Sequence, residues 1–148
     1  MSLVEQIQQD TKEAMKSRDR TRVAALRMLS AALKNAELET GEPLDEKEQQ
    51  AVLRRQLKQR EESSESFRKA GRIEQADNES SEAEIVREYL PAPLTREELG
   101  RIVDQAVEET GAQDMNDMGA AMGRALALAG DRAEGRELSA LVRTRLQQ

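Results

Sequence analysis

Apolar residues recur at three- and four-residue intervals through nearly the whole chain, and β-branched residues nowhere alternate with polar ones. The first spacing is that of one helix face and the second would mark a strand, so the pattern predicts helices throughout. Ser2-Leu3-Val4-Glu5 reads as a capping box, in which a hydroxyl and a carboxylate satisfy the orphan amides of a helix start. Val4, Ile7, Thr11 and Ala14 follow on one face, and the helix is expected to stop near Ser17. Asp19 can cap a second helix, whose inward face carries Val23, Leu26, Leu29, Leu33 and Ala36 before Gly41-Glu42-Pro43 breaks it. Asp45, with Glu48 three residues on, opens a third, expected to reach Ala70 with Gly71 as a left-handed stop. Its inward row is Leu53, Leu57, Arg60, Ser64 and Phe67. A fourth helix carries Ile73, Ala76, Ser80, Ala83, Val86 and Leu90, and its small residues at 76, 80 and 83 suit close approach of a neighbour.

Pro91-Ala92-Pro93 ends this series, because each proline lacks an amide donor and pushes its predecessor out of helical geometry. Residues 1–90 are expected to form an N-terminal helical subdomain, 91–94 a proline linker and 95–148 a C-terminal three-helix subdomain. In the last, Thr95-Arg96-Glu97-Glu98 is a second capping box, ahead of Leu99, Ile102, Val103, Ala106 and Val107, and Gly111 closes that helix. Asp114 opens the next, with Met115, Met118, Met122, Ala125 and Leu126 as its expected core face and Gly130 as its end. Leu138, Leu141, Val142 and Leu146 mark the final helix. The fold class that follows is all-α and multihelical: an N-terminal array of long helices plus a C-terminal three-helix unit.

Composition narrows the chemistry. The 148 residues include no Cys, His or Trp, one Tyr and one Phe. There is no imidazole to move a proton near neutral pH, no thiolate nucleophile and no soft metal ligand. No catalytic residue, metal site or cofactor is expected. Any core must be built from Leu, Val, Ile, Met and Ala. The formal net charge of -6 excludes a globally basic nucleic-acid binder but leaves room for a local basic stripe. No signal peptide and no membrane span are expected, and a cytoplasmic location fits the absence of cysteine.

Arg20, Arg27 and Lys34 are seven apart and share one helical face. They could neutralise phosphates or simply be solvated among interleaved acids. Arg60 faces other helices and needs a partner, for which Glu84 or Glu88 is expected, Glu84 foremost. Gly119 and Gly123 each cost a helix about 0.5–1 kcal/mol relative to Ala, an expense offset by close approach of a neighbouring helix, of RNA backbone or of a partner protein. Arg124, Arg132 and Arg136 cluster in sequence around the start of the last helix, where exposed amides could hold a phosphate. Met115, Met118 and Met122 could line an adaptable groove but are as readily core.

Several stretches together resemble the YqeY-like family: Leu26-Arg27-Met28-Leu29 with Lys34 and Asn35, then Lys58-Gln59-Arg60-Glu61, Phe67 through Arg72, and Tyr89-Leu90-Pro91. The stretch Asp117-Met118-Gly119 through Met122-Gly123, then Ala133, Gly135 and Leu141-Val142, is the most recognisable. The resemblance covers nearly the whole chain. It implies an architecture shared with the tail of the GatB subunit of glutamine-dependent tRNA amidotransferases, and a family-level label of carbon–nitrogen ligase with glutamine as amido donor. It implies tRNA, and translation- or amidotransferase-related proteins, as partners. Gly119, Arg124, Arg132 and Gly135 match the tail motif region, and with Arg27, Lys34 and Arg136 they are the expected tRNA-contacting set. A chain of this size without reactive side chains is expected to be a non-catalytic accessory module. A protein-interaction adaptor is the alternative, and a free-standing amidotransferase the third reading.

Overall fold

The structure, a computed structural model, describes residues 1–148. The fold is all-α, with seven helices and no strand. They are α1 (Leu3–Lys16), α2 (Arg20–Thr40), α3 (Glu46–Lys69), α4 (Ile73–Arg87), α5 (Arg96–Thr110), α6 (Met118–Ala129) and α7 (Gly135–Leu146). Short 3-10 turns at Met115–Asp117 and Gly130–Arg132 bracket α6. No helix is long and apolar enough to cross a membrane.

Local side-chain chemistry fixes most of the boundaries. Ser2 accepts the Glu5 amide at 3.2 Å and Asp19 accepts the Arg22 amide at 3.1 Å. Only the serine half of the first expected box forms. Asp45 with Glu48 and Thr95 with Glu98 close both halves of theirs. The Thr95 amide, donating to Glu98, holds that carboxyl below its ordinary value. Gly41, Gly71 and Gly111 take the left-handed conformation that turns the chain out of α2, α3 and α5. Arg18 does the same between α1 and α2 at φ 60°, a conformation that costs a non-glycine residue about 1–2 kcal/mol.

The chain divides into two compact units, Met1–Pro91 and Ala92–Gln148. In the first, α2 lies against α1, α3 and α4, and α3 and α4 pack along one another. Ile7, Leu26, Leu29, Leu33, Leu53 and Val86 are fully buried at its centre. On the α4 side the residues facing the α3–α4 seam are small: Ala76, Ser80 and Ala83. The Ser64 hydroxyl donates to the Ala76 carbonyl at 2.9 Å and so accepts from the Ser80 hydroxyl at 2.6 Å, which satisfies a buried polar pair. The chain leaving α4 is fastened by two side chains. Tyr89 donates to Asp10 of α1 at 2.5 Å, and Arg22 of α2 pairs with Glu88 at 2.8 Å. Burial, reinforced by the Asp10 carboxylate, pushes the Tyr89 hydroxyl upward in pKa.

Arg60 does sit at the α3–α4 contact, but its partners are Glu79 at 3.3 Å and Glu82 at 3.6 Å, not Glu84. Glu88, the other expected partner, belongs to Arg22. The reason is angular. Glu79 and Glu82 flank the Ala76–Ser80–Ala83 row on the side that Arg60 reaches, and Glu84 stands on the opposite flank at helical spacing. On that opposite flank Arg68 pairs with Asp77 and Arg87 with Glu61.

The second unit packs α5, α6 and α7 around Leu99, Val103, Leu138 and Val142. The expected core face of α6 is only partly right. Met118 and Met122 are half-buried, but Met115 is 40% exposed on the 3-10 turn and Leu126 is 43% exposed. The buried row is Ala121, Ala125 and Ala129, one turn apart. Methyl side chains there let α6 lie close to α5 and α7, and the helix is rotated accordingly.

Candidate nucleic-acid interface

Twelve residues make up α6, and Arg124 is its only charge. Such a helix is ordinarily surrounded by protein. With Ala121, Ala125 and Ala129 turned inward, its outward face consists of Gly119, Ala120, Gly123, Leu126 and Ala127, all exposed. A Cβ added at Gly119 or Gly123 would meet nothing within 4 Å. Close approach of a neighbouring helix, one of the explanations open on sequence, is therefore not the reason for these glycines. They leave a bare strip of backbone facing outward.

Arg124 leaves this helix to meet Glu109 of α5 in a hydrogen-bonded ion pair. That pair, with Gln105 also donating to Glu109 at 2.9 Å, holds the Glu109 carboxyl below its ordinary value. Arg124 thus bolts α6 to α5, and would have to release Glu109 to reach any phosphate.

Arg132 also has a structural task. Its Nε donates to the Ala92 carbonyl at 3.1 Å, and its own carbonyl accepts the Leu94 amide at 3.0 Å. Residues 92–94 are thereby tied to the turn between α6 and α7 and form part of the second unit. One guanidinium edge is used in this way, and the residue remains exposed.

The start of α7 differs from those of α1, α2, α3 and α5. Glu134 at its N-cap accepts no amide through its side chain. The first intrahelical bond is from Leu138 to the Glu134 carbonyl, so the amides of Gly135, Arg136 and Glu137 have no acceptor within the helix. Arg136 and Arg143 are seven apart on the exposed face of α7, and no carboxylate engages either. Arg145, nearer the core side, pairs with Asp104 of α5 at 3.1 Å. Arg143 escaped the sequence reading, although its interval from Arg136 was a usable signal.

Of the expected contact set, the second unit brings Arg132, Gly135 and Arg136 together at one turn and places Gly119 on the open face of α6. Arg27 and Lys34 lie in the first unit, on the solvent side of α2. Charge is spread evenly: 16 Lys and Arg against 19 Asp and Glu in the first unit, 7 against 10 in the second.

Two of the open hollows on the surface carry little converging chemistry. One of about 420 Å³ runs along α3 and α4 beside Ser64, Ser80 and the Arg87–Glu61 pair. The other, about 1110 Å³, lies at the end of α5 beside Glu108, Arg145 and Gln148. Neither places a hydroxyl against a base. No cluster of three or more acidic side chains is close enough to hold a metal ion.

A family model described as Yqey-like protein matches residues 4–146. The chain belongs to the YqeY-like family. It is 32% identical over 106 residues to "Altered inheritance of mitochondria protein 41, mitochondrial" of Eremothecium gossypii, covering 70% of this chain and 58% of that one. The protein of the same name in Lachancea thermotolerans is 34% identical over 88 residues, 59% of this chain and 47% of that one. A third relative is a glutamyl-tRNA(Gln) amidotransferase subunit of Thermococcus gammatolerans, 38% identical over 74 residues. That match covers 47% of this chain and 12% of the amidotransferase polypeptide. The YqeY-like chain thus spans about half of each fungal relative and a small part of the archaeal one. A component of a tRNA amidotransferase is among the relatives, as the resemblance implies.

Proposed function

We propose that this YqeY-like protein is a non-catalytic accessory module that holds tRNA against its second unit. The outward strip of α6 at Gly119 and Gly123 takes the sugar–phosphate backbone. The uncapped start of α7, with Gly135, Arg136 and the free edge of Arg132, takes an adjoining phosphate. The observation that carries this reading is the pair of exposed glycines with nothing over them. A helix interior gains nothing from glycine unless something must come close to its backbone. A relative that is part of a glutamyl-tRNA(Gln) amidotransferase supports RNA as that something. The carbon–nitrogen ligase label of such an enzyme then belongs to the assembly, and this chain supplies grip. A cytoplasmic setting is part of the proposal.

Titration of labelled tRNA at a series of salt concentrations tests it. Few phosphates are engaged, so the slope of log affinity against log salt should be small, about 2–3, and Arg136→Glu should lower it by about 1. Absence of salt-dependent binding even at low ionic strength would reject the reading.

A further inference from the structure

The solvent face of α2 has a regular composition that the tRNA reading does not use. Arg20, Ala24, Arg27, Ala31, Lys34 and Leu38 fall within about 80° of arc at about 100° per residue, and all six are exposed. The three cations recur every seven residues, and so do the three apolar residues between them. Seven residues advance a helix by about 10.5 Å, so the row is about 27 Å long. No carboxylate stands on it; Glu37 and Glu39 lie to its two sides at the C-terminal end. In a chain with 29 acidic residues against 23 basic ones, an acid-free row of this length is a departure. No carboxylate engages the three cations, and Arg27 instead points Nη2 at the Met15 sulfur of α1, 3.8 Å away. Met15 is 52% exposed and Leu38 73% exposed, so two large apolar side chains lie bare along the same row.

We propose that this row is a docking seam for one helix of a partner protein, an amphipathic helix with Glu or Asp at every seventh residue beside apolar side chains. The charge is complementary, and the repeat is that of a second α-helix lying nearly parallel to α2, as in a coiled-coil seam. Ala24 and Ala31 admit the partner's larger side chains, and Leu38 and Met15 give it apolar area to cover. RNA would neutralise the cations but leave Leu38, Met15 and both alanines without a partner, and no aromatic side chain stands near to stack a base. Arg27 and Lys34, candidates for phosphate contact on sequence, are assigned to this seam. The seam lies on a different unit from the tRNA face, so each can fail without the other.

The test adds a synthetic three-heptad peptide, Glu at one seam position and Leu at the other, to the isotopically labelled full chain. Amide shifts should follow the outer row of α2 and the end of α1. The peptide with Gln for Glu should bind at least about tenfold more weakly, as should wild-type peptide to the Arg27→Glu/Lys34→Glu variant, with an unchanged helical spectrum. Leu38→Ser should weaken binding as well. Lack of α2 shifts at millimolar peptide, or unchanged affinity in Leu38→Ser, overturns the assignment. So does tRNA producing the same α2 shifts at lower concentration, or a self-dimer abolished by these substitutions, which would seat a second copy there.

Discussion

Gly119 and Gly123 lie one turn apart on the side of α6 that faces away from its core, and neither has an atom over the place a side chain would occupy. Both have helical backbone that alanine adopts freely, as neither shows a positive φ. Changing each to Ala should therefore stabilise the protein by about 0.5–1 kcal/mol. The double variant should melt several degrees higher, at about 4–8 °C per kcal/mol for a unit of this size. A lower melting temperature on calorimetry would mean that these positions pack against something.

Arg60 holds two carboxylates at once. Glu82 is raised above its ordinary pKa, chiefly by burial and next by the neighbouring charge of Glu79, with Arg60 pulling the other way. A raised folded value means that the folded state binds the proton more tightly than the unfolded chain. Glu82 therefore favours folding most below the ordinary glutamate range, and that contribution is lost as pH rises through the raised value. Its ionised form is the one that burial and Glu79 disfavour. Glu82→Gln should keep or raise the melting temperature at about pH 7 and flatten its fall as pH rises above the ordinary glutamate range.

The opposite change at this site is harmful. Arg60→Ala leaves Glu79 and Glu82 facing each other without a cation. The cost should be about 1–2 kcal/mol, less than the ~3–5 of a fully buried pair because the Arg60 side chain is 22% exposed. Urea unfolding of Arg60→Ala that matches the unaltered protein would remove the claim that this pair locks α3 to α4.

Tyr89→Phe deletes the hydroxyl that joins the end of α4 to Asp10 and leaves the ring in place. A loss of about 1–2 kcal/mol is expected, since the acceptor is a part-buried carboxylate. Hydrogen exchange should locate the loosening at residues 86–90 and at α1. Exchange rates unchanged at those amides would count against the fastening role.

The helix boundaries were legible in sequence because capping is decided within three or four residues. Asp19, Asp45 with Glu48, Thr95 with Glu98, and the stops at Gly41 and Gly111 all act locally. The inward rows of α2, α5 and α7 were legible because each helix has a polar side to contrast with. In α6 there is none, so periodicity could not choose between the methionine side and the alanine side, and close packing chose the alanines. Arg60 could be seen to need a carboxylate, but which one depends on the flank of α4 it reaches, a property of the crossing. Arg124 and Arg132 read as free cations near a glycine-rich stretch. Their long-range partners, Glu109 and the Ala92 carbonyl, were invisible until the chain was folded.

The most direct test of the tRNA face compares unaltered protein with the Gly119→Ala/Gly123→Ala variant in a labelled-tRNA titration at low salt. The variant should be the more stable protein and the weaker binder, by at least about fivefold, since two methyl groups would stand where RNA backbone must approach. Equal affinity in a variant that melts higher would contradict the account and leave the bare strip of α6 without a role in holding RNA.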